Sequence, residues 1–118
     1  MTKARSLSDF IESDGSVTLV DNQKIKVGTG NDLEIYHDGS DSYIKEDGTG
    51  NLIIAADDFR VTNVAVSEVM IGADTDGAVS LYHNGSVKLN TTSTGVSVTG
   101  NAAFPDSGKA LFGAGSDL

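Results

Sequence analysis

The chain has 118 residues, a formal net charge of −9, 14 glycines, one proline and no cysteine. This length sets one ordinary domain as the upper bound, and its apolar share of 38% falls below the roughly 45–50% usual for globular chains, a range that also counts glycine. One copy alone can therefore bury only a thin core, the acidic balance argues against nucleic acid and anionic membrane surfaces as partners, and zero cysteine excludes disulfides, thiolate chemistry and zinc–thiolate sites.

The first fourteen residues differ from the rest. Leu7, Phe10 and Ile11 stand at i, i+3, i+4 spacing, Ser6 with Asp9 resembles a capping box, and Gly15 marks a stop. The spacing predicts a short helix or docking segment, too short to be stable in isolation. The competing reading is an unstructured terminus. No apolar run follows Met1–Arg5, so no signal peptide is expected, and no stretch reaches the roughly 20 apolar residues that span a bilayer.

From Gly15 onward the pattern turns to period two. Val17 and Leu19, Ile25 and Val27, Leu33 and Ile35, Leu52 and Ile54, Phe59 and Val61, Val64 and Val66, Val79 and Leu81, Val87 and Leu89, and Val96 and Val98 alternate in short runs. Such runs, separated by Gly, Asp, Asn, Ser and Thr, predict strands and turns and no helix after residue 14. Many Val, Ile and Leu residues in these patterns argue against disorder. Burial borrowed from partner chains is the better account of the thin core.

Two recurrences set the architecture. Residues 33–40 (LEIYHDGS) match residues 79–86 (VSLYHNGS), and residues 24–33 (KIKVGTGNDL) match residues 109–118 (KALFGAGSDL). The third copy stops where the first continues into its hairpin, so the sequence is expected to be the first part of a longer chain. The organisation expected is a docking segment over 1–20, a repetitive β shaft over 21–108 with hairpin units at 33–45 and 79–90, and the start of a further repeat over 109–118. Residues 55–78 have no second copy, which leaves a separate small bead open as an alternative for that stretch.

Asp38-Gly39 and Asn84-Gly85 are strong hairpin-turn signals, because a type I′ turn needs φ > 0 at both central residues. In the second unit a two-residue loop pairs Leu81 with Lys88 and Val79 with Asn90. A three-residue loop with Gly85 at a bulge pairs Leu81 with Val87 and Val79 with Leu89. The second register gathers the apolar residues on one face and is the one expected. The expected oligomer core is accordingly Leu33, Ile35, Val79, Leu81, Val87 and Leu89. His37 and His83 share parity with these residues, at the mouths of their turns, whereas Tyr36 and Tyr82 face the other way. Each His is expected to hydrogen-bond its turn or face solvent. A metal held by three copies on a threefold axis is the rarer alternative, with no second ligand nearby.

Other motifs carry less. Residues 27–33 (VGTGNDL) resemble a calcium-binding nonapeptide repeat, but the apolar residue follows Asp32 without a spacer and the pattern does not recur in the next nine residues. Asp38, Asp41, Glu46 and Asp47 read as a solvated acidic turn. Gly28-x-Gly30 precedes no helix, so it has no helix N-terminus for a pyrophosphate. No Gly-x-Ser-x-Gly elbow is present, and adjacent carboxylates such as Asp57-Asp58 point to opposite faces of a strand. No enzymatic activity, cofactor or metal is expected.

Residues 28–54, with a weaker copy at 72–100 and a third beginning at 109, resemble a repeat of tail-fibre and related virion proteins of marine bacteriophages, notably those infecting cyanobacteria. The opening MTKARSLSDFI is also similar to the start of such proteins. The second copy departs by lacking two residues after Ser40 and by carrying Lys88 at an expected apolar position. The resemblance implies an all-β, elongated homotrimeric fibre of β-prism or triple-β-helix type. It implies docking to other phage tail or neck proteins through the N-terminal segment, with Leu7, Phe10 and Ile11 as contacts. It also implies a virion (tail) location after synthesis in the host cytoplasm, with no nucleic-acid or membrane partner. The function expected is that of the particle-proximal part of a tail fibre, linking the virion to a distal host-binding region. A receptor-binding module that stacks glycan on Tyr36, Tyr43 and Tyr82 is the alternative, and a calcium-binding β-roll the remote one.

Overall fold

The computed structural model describes residues 11–113. These form eight β-strands and no helix, divided between two compact units that meet in sequence at Ile54 and Ala55. Each unit holds one antiparallel sheet in which neighbours in sequence are neighbours in space. The all-β expectation holds. Of the N-terminal segment, residues 1–10 lie outside the described residues. Residues 11–16 make a turn in which Gly15 donates to the Glu12 carbonyl (2.9 Å) and Glu12 to the Ser16 carbonyl (2.8 Å).

The first sheet contains β1 (Lys24–Val27), β2 (Leu33–His37) and β3 (Ser42–Glu46). The turn from β1 to β2 is built around Asp32. A methyl group on Gly28 would sit 2.6 Å from one Asp32 carboxylate oxygen, and one on Gly30 2.7 Å from the other. The Gly-Thr-Gly-Asn-Asp string is thus a close-packed turn, with Gly28 at φ +94° and Asn31 at φ +58°. The antiparallel pairing of β1, β2 and β3 is not the stacked parallel coil of a calcium β-roll.

The β2–β3 hairpin turns through residues 38–41, and His37 pairs with Ser42. The Asp38 carboxylate accepts the N–H groups of Ser40 (2.9 Å) and Asp41 (2.8 Å), an Asx-type closure of a four-residue loop.

The second sheet runs in the order β4 (Asp58–Thr62), β5 (Val69–Asp74), β6 (Val79–His83), β7 (Ser86–Thr92) and β8 (Gly95–Val98). Residues 58–74 supply two of its five strands, so the stretch without a second copy is not a separate bead. Sequence alternation did not reveal β5, because Val69-Met70-Ile71 carries a bulge: Val61 pairs with Ile71 and Thr62 with Val69, which leaves Met70 unpaired.

The register of the β6–β7 hairpin corrects the expectation. Asn84 (φ +49°) and Gly85 (φ +73°) form a two-residue loop with both residues left-handed, and His83 pairs with Ser86. The extra residue sits further down the strand. Tyr82 pairs with Val87 and Leu81 with Leu89, so Lys88 is the bulge. Leu81 and Leu89 end up together by a different route, and Val87 goes to the opposite face with Tyr82. The two hairpins differ by two loop residues, both within the turn, since His37–Ser42 and His83–Ser86 are equivalent closing pairs.

Three expected strands are absent. Val17–Leu19 and Leu52–Ile54 have no ladder partner among the described residues. Val64–Val66 is instead a loop held by Asn63, whose side-chain carbonyl accepts the N–H groups of Ser67 (2.9 Å) and Glu68 (3.2 Å). No apolar side chain is buried among the described residues.

The Asn84-Gly85 turn makes a direct test. Asn84→Val places a β-branched residue in the left-handed region and is expected to destabilise the second sheet by about 1–2 kcal/mol, read as a fall in the urea midpoint at unchanged slope.

Candidate functional site

Cross-strand partners in an antiparallel ladder lie on the same face. In the second sheet this brings one residue from each of the five strands into a row: Val61, Ile71, Leu81, Leu89 and Val98. A parallel row holds Phe59, Ala73 and Val79, and continues through Thr91 to Val96. Thr91 Oγ1 accepts the Val79 N–H at 2.9 Å, which ties β6 to β7 beyond their ladder. Neither row carries a charge. The opposite face presents Arg60, Gly72, Ser80, Asn90 and Ser97. There Arg60 pairs with Asp74 and donates to the carbonyls of Phe59 (3.0 Å) and Ala73 (3.2 Å). Gly72 lies beside this arginine, whose guanidinium is 3.5 Å from where a Cβ would stand, an ordinary contact distance.

The first sheet repeats the division on a smaller scale. Ile25, Ile35 and Ile44 form one row, and Val27 and Leu33 another that ends on Glu46. On the other face Lys24, Tyr36 and Tyr43 stand side by side. The Tyr36 and Tyr43 rings stack with centroids 4.7 Å apart, and the Lys24 ammonium lies 4.3 Å from the Tyr36 ring centre. Lys24 also binds the Glu34 carboxylate at 2.7 Å, and Tyr43 donates its hydroxyl to Asp38 at 2.9 Å. The polar face is the better covered one: the Glu34 side chain is 12% exposed, whereas Ile44 is 61% exposed. A lone globular domain distributes its residues the other way round.

The electrostatics follow these contacts. The bond from Lys24 holds the Glu34 carboxyl below its usual range. Hydrogen bonds from the Asp41 and Ser40 backbones, and then from Tyr43, do the same for Asp38, and Asp38 in turn raises the Tyr43 hydroxyl. Asp32, Glu46, Asp47 and Gly48 line an open depression, but no group of three or more metal-ligating side chains occurs among the described residues.

The residues expected from sequence fall as follows. Leu33 and Ile35 share the open face of the first sheet, and Val79, Leu81 and Leu89 share that of the second. Val87 does not join them. Ile11 is 52% exposed, and Leu7 and Phe10 lie outside the described residues. Asp38, Gly39, Asn84 and Gly85 all sit in hairpin turns, with Gly39 at φ +100°. His37 Nδ1 lies 3.1 Å from Ser42 Oγ, a turn-closing contact. Ile25, Ile44, Val61, Ile71 and Val98 were not assigned to the face from sequence. Alternation alone marks most of them as strand residues, but only the register shows which row they join.

The depressed Asp38 carboxyl gives a pH test with a fixed sign. Its contribution to the loop is full above the ordinary carboxylate value of about 3.9 and is lost as pH falls through the lower folded value. The Ser40 and Asp41 amide resonances are expected to be flat at pH 5 and to titrate only below that ordinary value, and Asp38→Asn is expected to abolish the titration.

Comparison with protein-family models, curated proteins and solved structures finds no match to this chain.

Proposed function

We propose that this chain is a structural component of a bacteriophage tail: the particle-proximal part of a homotrimeric tail fibre, linking the virion to a distal host-binding region. The observation that carries the reading is the pair of single-layer sheets, each with an uncovered apolar face. Contiguous apolar patches beyond a few hundred Å² are rare on monomeric proteins and mark surfaces that other chains cover. A shared interior between three copies supplies the burial that one chain lacks. The sequence resemblance to virion repeats of marine phages supplies the biological setting, and the N-terminal residues are assigned to docking on a tail or neck protein.

A second reading draws on the Lys24–Tyr36–Tyr43 row, an aromatic surface suited to stacking a sugar ring. It ranks lower because Tyr36 already has Lys24 on its ring and Tyr43 as its stacking neighbour, and because Tyr43 spends its hydroxyl on Asp38.

Light scattering on the purified chain is expected to give the mass of three copies, and a stable single-copy particle would sink the fibre reading. Ile71→Lys with Leu81→Lys places two charges in the central apolar row, where burial without a partner is costly. This variant is expected to lose the trimer while keeping its strand circular dichroism.

A further inference from the structure

Among the described residues each sheet is open at both edges, and the edges are not alike. β1 carries Lys24 and Lys26, β3 carries Lys45 and Glu46, and β4 carries Asp58 and Arg60. Charges on an edge strand discourage pairing with another chain. β8, with the sequence Gly-Val-Ser-Val, carries none, and residues 89–105 contain no charged side chain. The Thr99 N–H points inward to the Lys88 carbonyl (2.9 Å). The alternation of the ladder then turns the Ser97 backbone inward and leaves the N–H and C=O groups of Val96 and Val98 facing out.

The chain also holds a segment with the complementary deficit. Asn51-Leu52-Ile53-Ile54-Ala55-Ala56 makes no hydrogen bond with any described residue. Apolar residues occupy both of its alternating sides, the composition of a strand covered on both faces. Ile53 is 79% exposed. Residues 48–56 carry no charge, in a chain of net charge −9. Its own β8 is out of reach. The segment leads into β4, and the position beyond β8 is five strand spacings, roughly 24 Å, from β4. The six residues from Leu52 to Asp58 span at most about 21 Å.

We infer that residues 51–56 of one copy add as a strand to the β8 edge of the next copy, so that the chains join head to tail. The inference rests on the trimeric reading and adds the junction. Every copy offers one uncharged segment and one uncharged edge, so a head-to-tail contact repeated around an axis closes a ring and leaves neither unpaired. A foreign partner would cover only one of the two.

The test uses two variants of the whole chain. Ile53→Pro with Ile54→Pro removes two adjacent donors from the segment, one of which faces the edge in either register, and Val96→Pro removes an outward N–H from the edge without touching the ladder to β7, a position proline tolerates. The unaltered chain is expected to be a trimer by light scattering, and each variant alone a single copy with its strand circular dichroism retained. An equimolar mixture of the two variants is expected to give a two-chain species, one of each by native mass spectrometry, because one intact edge and one intact segment remain. If either variant still forms trimers, the junction is wrong while the trimeric fibre stands. If the mixture stays single-chain, the head-to-tail pairing is wrong. A single-copy unaltered chain takes down both. Should Val96→Pro lose its strand signal, Val98→Pro, whose N–H also faces out, replaces it in every arm.

Discussion

The constraint on which the structure depends is that a one-layer sheet has two faces and too little chain to cover both. Each unit is a meander in which every strand pairs with its sequence neighbours, so the ladder hydrogen bonds are all made locally. Each unit holds a single sheet among the described residues, and no described apolar side chain is buried. Antiparallel sheets ordinarily set one face on a core and give the other to water. Here the polar face is the finished one. In the first unit Lys24 binds Glu34 and Tyr43 binds Asp38, and in the second Arg60 binds Asp74.

This asymmetry explains the choice of residues on the polar side. Lys24 serves Glu34 and the Tyr36 ring together, Arg60 reaches two carbonyls and Asp74 across Gly72, and Asp38 holds both its loop and Tyr43. Individually such exposed contacts contribute little. They bridge neighbouring strands in the observed register, and register decides where every apolar residue points.

Much of this was legible in the sequence, and the reasons for the rest are specific. The Tyr-His-Asp/Asn-Gly recurrence located both hairpins, and alternation located β1, β2, β4, β6, β7 and β8. Bulges at Met70 and Lys88 were not legible, because an unpaired residue leaves no mark in composition. They hid β5 and moved Val87 to the wrong face. Asn63 overrode the β-branched Val64 and Val66 by closing a loop with its own side chain. Leu52–Ile54 has the alternation of a strand but forms none, because strand formation needs a partner as well as a propensity. For the association face, the residue types were visible, but membership of the five-residue row came only from the ladder.

The Lys88 bulge has a consequence for how such repeats change length. In a period-two element, adding or losing one residue inverts every side chain that follows it. A bulge absorbs the odd residue locally and restores the phase, so Leu89 and Val98 stay in step with Leu81 despite the tight two-residue loop before them. The four-residue and two-residue loops of the two hairpins are in step for a simpler reason, since an even difference at a turn needs no correction. Repeats built this way can drift in length and sequence while presenting the same stripe to whatever covers them, which is what a long assembly of imperfect copies requires.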